Sequence, residues 1–225
     1  MLWEKDKLVK ALEIDGLEEL IQLYKDYDIQ TSFVRRDNNF FCVSGCGACC
    51  YKPSLHLEVT VFEMIPLAID LIISGQVNYV LEILNQQGIE QIPCVMYHKT
   101  SEDGSQGYCT DYDNRPLICR YFGGAAKVGK YGSRQLVLCK ILKEKHKLNQ
   151  DLLDRLSNLM PFIPHVTPQL RNLNRYIDNG LYPLNQGLKQ ALEYVLFRMQ
   201  WLNPDAPEPN DPPVLTPSGG VDIAA

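Results

Sequence analysis

Cysteines constrain this chain more than any other feature: Cys42, Cys46, Cys49 and Cys50 crowd into one glycine-containing stretch, and Cys94, Cys109, Cys119 and Cys139 follow further along. Eight thiols admit two readings, a disulfide framework or a set of metal ligands. A chain of 225 residues with 45% hydrophobic residues can bury a sizeable core and needs no staples to fold. Cys49 and Cys50 are also poorly suited to bridging each other. Neighbouring Cα atoms stand about 3.8 Å apart, below the roughly 4.4–6.8 Å of ordinary disulfides. The N-terminal sequence, MLWEKDKLVKALE, lacks the basic-then-apolar pattern of a secretory signal. A reducing, cytoplasmic setting is therefore expected, where clustered cysteines more often ligate metal.

Glycines inside the run Cys42-Val-Ser-Gly-Cys46-Gly-Ala-Cys49-Cys50 let the backbone curl and bring amide N–H groups near sulfur. A buried four-thiolate centre carries net negative charge and needs positive charge or N–H donors beside it. Arg115 and Arg120, which flank Cys119 in Arg-Pro-Leu-Ile-Cys-Arg, suit that role, and Arg35 and Arg36 are further candidates. Surface solvation or a structural ion pair is an equal alternative for these arginines. All eight cysteines are candidate ligands. The Cys46-x2-Cys49 spacing fits half of a zinc site, and all-cysteine ligation fits iron–sulfur clusters as well. Eight thiols exceed the four that a single zinc needs, so two sites, or one cluster plus spare ligands, are open; a [4Fe–4S] cluster is expected first, with zinc the alternative.

The rest of the sequence reads as mainly α, a helical body around an irregular cysteine-rich centre with little β. Residues 1–39 form an N-terminal helical segment with Gly16 as a break, and 40–140 form the cysteine-cluster region. Residues 141–202 form C-terminal helices packing on it, and 203–225, with six prolines, a disordered tail. Thr60-Val-Phe-Glu63 is a capping box opening a helix to about Ser74, in which Pro66 kinks it or shifts its start. A second helix runs from about Val77 to Gln87 and stops at Gly88. Loops, a short helix after Pro116 and a strand at Gln135–Leu138 are expected between residues 89 and 139. Helices follow at 141–160, 168–178 and 185–202. The longest apolar stretch, Met64–Ile73, is broken by Asp70 and too short to span a bilayer. With a net charge of −5, no global field draws the chain to nucleic acid or to an anionic membrane.

The cysteine pattern resembles the CxxCxxCC cysteine-cluster family, often labelled YkgJ and described as a zinc- or iron-chelating domain. The matching text is Cys46-Gly-Ala-Cys49-Cys50, the Leu55–Met64 stretch after it, and CTDYDNRPLICRYF from Cys109 to Phe122. Three residues separate Cys42 from Cys46 where the family has two. The resemblance implies metal or iron–sulfur binding and no settled reaction; the reading adopted is a role in metal handling, redox or assembly of another protein, with the question of an enzyme left open. A flagellin lysine N-methylase is similar in this region, which keeps an iron–sulfur enzyme of electron or group transfer, protein methylation included, as the alternative.

Competing signals weigh less. Cys42-x3-Cys46-x2-Cys49 has radical S-adenosylmethionine spacing, but neither strand–helix repeats nor a glycine-rich segment accompanies it. His98 lies four residues after Cys94 and reads as an ordinary hydrogen-bonding histidine; His56, His146 and His165 carry no ligand signal. Tyr97, Tyr108, Tyr112, Tyr121 and Tyr131 are expected to shield the cysteines. Lys143–Lys147 reads as a solvated helix face. Tyr194, Phe197 and Trp201 lie off the main stripe of the last helix, in the core by default and otherwise facing a protein partner.

Overall fold

The computed structural model describes residues 4–51, 57–86, 93–146, 149–177 and 180–202. Ten α-helices and three two-stranded antiparallel sheets make up the described residues, so the protein is mainly α with little β. Helix α1 (Lys5–Leu12) ends at Glu13, and Gly16, at φ +77°, turns the chain into α2 (Leu17–Asp37). A side chain at Gly16 would collide with the Leu173 backbone, so glycine serves both the turn and the close packing.

The capping box at Thr60 forms as its sequence implies: Thr60 Oγ1 accepts from Glu63 N, and Glu63 Oε2 accepts from Thr60 N. It fixes the start of α4 (Val61–Ile73), and Pro66 neither shifts that start nor ends the helix. Almost every residue of α4 from Val61 to Leu71 is buried. This helix is the centre of the main core. Helix α10 (Leu184–Leu202) lies along it and buries Leu188, Ala191, Leu192 and Val195, while α1, α2 and α5 (Val77–Gln86) close the other sides. Each such leucine or valine contributes on the order of 1.5–3 kcal/mol.

Two stretches depart from the sequence reading. The helix expected at 168–178 is α9 (Ile163–Leu173), which starts at Pro164's first turn and carries Pro168 inside it. It stops because Asn174 folds back: its Oδ1 accepts from Tyr176 and Ile177 N, and its Nδ2 donates to Asp15 O. The single helix expected at 141–160 is two, α7 (Lys140–His146) and α8 (Gln150–Leu159), the second capped by Asn149. Gly88, His56 and the 203–225 tail lie outside the described residues.

The short pairs β2 (Tyr97–Lys99) with β3 (Gly107–Cys109) and β4 (Ala126–Val128) with β5 (Arg134–Leu136) frame the region between the helices. The third pair, β1 (Glu58–Val59) with β6 (Tyr182–Pro183), joins the start of α4 to the start of α10. A smaller core of Phe40, Leu136, Leu142, Leu156 and Met160 ties β5, α7 and α8 together. Among the described residues no single helix is long and apolar enough to cross a membrane.

Candidate metal centre

The two cysteine stretches meet. Cys42, Cys46, Cys49, Cys50, Cys94, Cys109 and Cys119 all line one cavity of about 390 Å³, and every cysteine is a free thiol. Cys139 is off the cavity wall but within electrostatic reach of Cys42.

Local structure explains the gathering. Gly45, at φ +69°, reverses the chain so that its carbonyl accepts from Gly107 N at 2.9 Å, and Cys46 bridges Gln106. The loop is thereby stitched to the β2–β3 hairpin that carries Cys109. Tyr97 lies across Gly47, where any side chain would strike its ring, and its hydroxyl donates to Gly104 O at 2.8 Å. The turn α3 (Ala48–Tyr51) holds Cys49 and Cys50 with their sulfurs 3.7 Å apart. Cys94 N donates to Cys50 O at 3.0 Å, which places Cys94 beside that pair. Asn185, at the start of α10, holds the Cys94 segment from both sides, accepting from Val95 N and donating to Pro93 O. Helix α6 (Leu117–Tyr121) brings Cys119, and its first amide, Leu117 N, donates to Glu63 Oε1 at 3.3 Å.

The electrostatics follow from this crowding. Hydrogen bonding from Cys50 draws the Cys49 thiol down to about 7 against the opposing effect of burial, and Arg115 adds to the lowering. Cys50 moves the other way, its proton retained by the hydrogen bond to Cys49 and by burial. Within the pair, Cys49 is the thiol pushed toward the thiolate and Cys50 the one that holds its proton. Burial pushes Cys94 up to about 12 and Cys119 well above the ordinary thiol range; neighbouring cysteines add to both, and Arg115 partly offsets the rise at Cys119. Burial likewise raises Cys42 and Cys109. Buried thiols that raise one another favour a cation among them, because a cation relieves both burial of charge and mutual repulsion.

The arginines divide. Arg115 lines the cavity, with its guanidinium 3.1 Å over the Tyr112 ring. Arg120 points away: its side chain is buried, pairs with Asp28, donates to the carbonyls of Asp113 and Arg115 and stacks on Tyr24. Arg35 reaches the cavity while donating to Gly123 O, and Arg36 is exposed beside Phe33.

Of the tyrosines, Tyr108 and Tyr112 line the cavity, Tyr97 covers the loop, Tyr121 sits in the main core, and Tyr131 is 92% exposed at a distant turn. His98 is exposed and stacks on Tyr108, and His165 meets Phe162 edge-on.

Several positioning groups escaped the sequence reading. Lys145 Nζ donates to the Phe41 and Cys42 carbonyls, and His146 Nε2 stands 2.7 Å from Phe41 O. Both come from the run read as solvated, and nothing in its spacing pointed to the loop. Asp111 O accepts from the Cys109 thiol at 3.1 Å. Glu63 was visible as a capping residue but not as the acceptor for Leu117.

Among the described residues, no three His, Cys, Asp or Glu side chains yet stand together as a ready ion cage. The thiols line walls rather than converge on a point. In donor chemistry the set fits a thiophilic centre: soft sulfurs, the Arg35 and Arg115 cations nearby and few competing oxygen ligands.

Fold and site together define a helical protein whose loops gather free cysteines around a single cavity. Residues 41–140 match the model of the CxxCxxCC family, whose description reads "Putative zinc- or iron-chelating domain". Comparison with curated proteins and with solved structures returned no match.

Proposed function

We propose that this protein holds an iron–sulfur cluster, or zinc in its place, on cysteine thiolates drawn from both stretches, within the cytoplasm. The observation that carries the reading is that seven cysteines from positions 42 to 119 line one cavity. Cys46, Cys49, Cys50, Cys94, Cys109 and Cys119 are the ligand candidates on the cavity wall. Cys42 lines the cavity as well, whereas Cys139 lies off its wall. One zinc and one [4Fe–4S] cluster each take four thiolates, so the seven wall thiols leave spare ligands in either case, and the all-sulfur donor set suits a cluster. Such a centre supplies electron transfer or a Lewis-acidic site when bound.

What the chain's own residues do is to hold and tune. Glu63 and Asn185 fix the segments that carry Cys119 and Cys94, and Lys145 fixes the Cys42 loop. Arg115 supplies the positive charge that thiolates in this cavity require. Arg120 supports the turn between Asp113 and Arg115 from behind. The function we favour is metal handling, redox or assembly of another protein. A second reading, an iron–sulfur enzyme of group transfer, draws on the cavity itself: about 390 Å³ leaves space beside a centre, bounded by Met64, Leu67 and Met96.

Anaerobic purification with analysis of iron, zinc and acid-labile sulfide tests the proposal. A brown protein with iron and sulfide is expected, and Cys49→Ala and Cys119→Ala should each lose most of it. A colourless protein with stoichiometric zinc removes the cluster. Full occupancy in Cys119→Ala removes the link between the two stretches.

A further inference from the structure

Charge is distributed unevenly along this chain. Between Ala126 and His146 stand six cations, Lys127, Lys130, Arg134, Lys140, Lys143 and Lys145, against one acid, Glu144, in a protein whose net charge is −5. The fold concentrates them further, because β4, β5 and α7 are neighbours around the smaller core. Among the described residues, Lys140 is the one of the six in an ion pair, at 3.7 Å from Glu144.

Between β5, α7 and α8 lies a groove of about 590 Å³. Lys127, Arg134 and Lys143 stand on its walls, with Asp154 the single acid. Asp154 is already engaged by Gln150 Nε2 at 2.7 Å. Lys127 and Lys143 are exposed and enter no ion pair among the described residues. Arg134 is held by stacking on Phe162 at 4.6 Å and by donating to Met160 O, yet its Nε is buried without a partner. The floor is different in kind: Phe122, Leu138 and Leu153 give it an apolar surface. Gln135 and Gln150 add side-chain amides, groups that can both donate and accept.

We propose that this groove is a docking site for an acidic peptide segment of a partner protein, one that alternates carboxylates with aliphatic side chains. Carboxylates meet the three cations, aliphatic side chains meet the floor, and the peptide backbone meets the glutamine amides. A long polyanion such as nucleic acid fits less well. Its phosphates would use the three cations but not the apolar floor, which is largely aliphatic, with Phe122 the single aromatic ring among the described residues that line it. An inorganic anion would use the cations but not the floor. The site is separate from the cysteine cavity, sharing only Phe122 with its lining, and the proposal stands independently of which metal that cavity holds. Lys145, which ties the same α7 to the Cys42 loop, would seat a docked partner close to the cysteines.

The test is fluorescence anisotropy on the full chain as purified, with a fluorescein-labelled peptide of alternating glutamate and leucine. Binding is expected to weaken about tenfold in the Lys127→Glu/Lys143→Glu variant and to survive in Lys127→Arg/Lys143→Arg. It should also weaken as salt is raised, as exposed charge pairs require. Metal content is measured alongside, and both variants should match the parent. Equal affinity of the parent and the Glu/Glu variant overturns the proposal. So does equal binding of a peptide with lysine in place of glutamate, or displacement by equimolar phosphate or single-stranded oligonucleotide. Loss of peptide binding with metal retained, or the reverse, separates this site from the cysteine centre.

Discussion

Replacing Glu63 by glutamine separates two effects that oppose each other at one buried carboxylate. Glu63 is 5% exposed and accepts from three groups: Thr60 N at 3.1 Å, Thr60 Oγ1 at 3.2 Å and Leu117 N at 3.3 Å. Burial nevertheless wins, and its pKa lies above the ordinary 4.5. The folded state therefore keeps this proton over a range in which the unfolded chain has released it. Its contribution to stability is full below the unfolded pKa, about 4.3, and is lost as pH rises through the raised folded value. A glutamine cannot titrate. It keeps one oxygen for Leu117 and turns an N–H toward Thr60 N, so one buried donor goes unpaired at a cost of about 1 kcal/mol on the acid side. Toward neutral pH that deficit should shrink or reverse, because only the parent then carries a buried charge. Alanine is harsher at every pH. It strands both Thr60 N–H and Leu117 N–H and removes the cap, for about 3 kcal/mol. Urea unfolding of all three proteins between about pH 4.5 and 7.5, in the same metal state, measures these differences by linear extrapolation. A glutamine deficit that grows toward neutral pH, or an alanine variant no worse than glutamine, would refute the reasoning.

The Arg120–Asp28 pair should respond asymmetrically, since the arginine side chain is 1% exposed and the aspartate 42%. Asp28→Ala strands a buried guanidinium and should cost about 3 kcal/mol, whereas Arg120→Met leaves a carboxylate that water already reaches and should cost less, about 1–2 kcal/mol; denaturant midpoints decide the order. Lys145→Ala removes the donor to the Phe41 and Cys42 carbonyls. Global stability should change by less than about 1 kcal/mol, while alkylation of Cys42, followed by mass spectrometry, should accelerate; an unchanged rate would mean that the loop is held by other contacts.

How far the sequence disclosed this fold depends on the scale of the signal. Helices α2, α4 and α10 announce themselves because their apolar residues recur over many turns, and Thr60 and Glu63 mark a start by a reciprocal bond that needs only local backbone. Asn174 shows the opposite case. An asparagine after Leu173 is compatible with continuing the helix; α9 ends because the Asn174 Oδ1 accepts from Tyr176 and Ile177 N while its Nδ2 is tied to Asp15 O, far away in sequence. Strands β2, β3 and β4 have three residues each, too few for alternation to register. The β2–β3 hairpin is held to the cysteine loop by Gly107 N donating to Gly45 O, a closure the sequence does not encode locally, and β4 pairs with β5.

At the cysteines the same distinction decides what spacing can and cannot say. Cys46-Gly-Ala-Cys49-Cys50 gives the glycine-bearing turn directly, and the Arg-Pro-x-x-Cys-Arg element gives the helix that presents Cys119. Their meeting, however, depends on α4, which lies between them in the chain and carries Glu63 to the first amide of α6. The flanking arginines illustrate the limit. From sequence, Arg115 and Arg120 are equivalent, one on each side of Cys119, but they fall at different points of a short helix. Arg115 precedes α6 and faces the thiols; Arg120 is inside it, turned toward α2, where Asp28 and Tyr24 receive it. A helical turn, rather than residue type, sorts charge that tunes the thiols from charge that braces the frame. The positive field available to the cysteine cavity from this motif is therefore that of one arginine, and the second acts by holding the carbonyls of Asp113 and Arg115 in place.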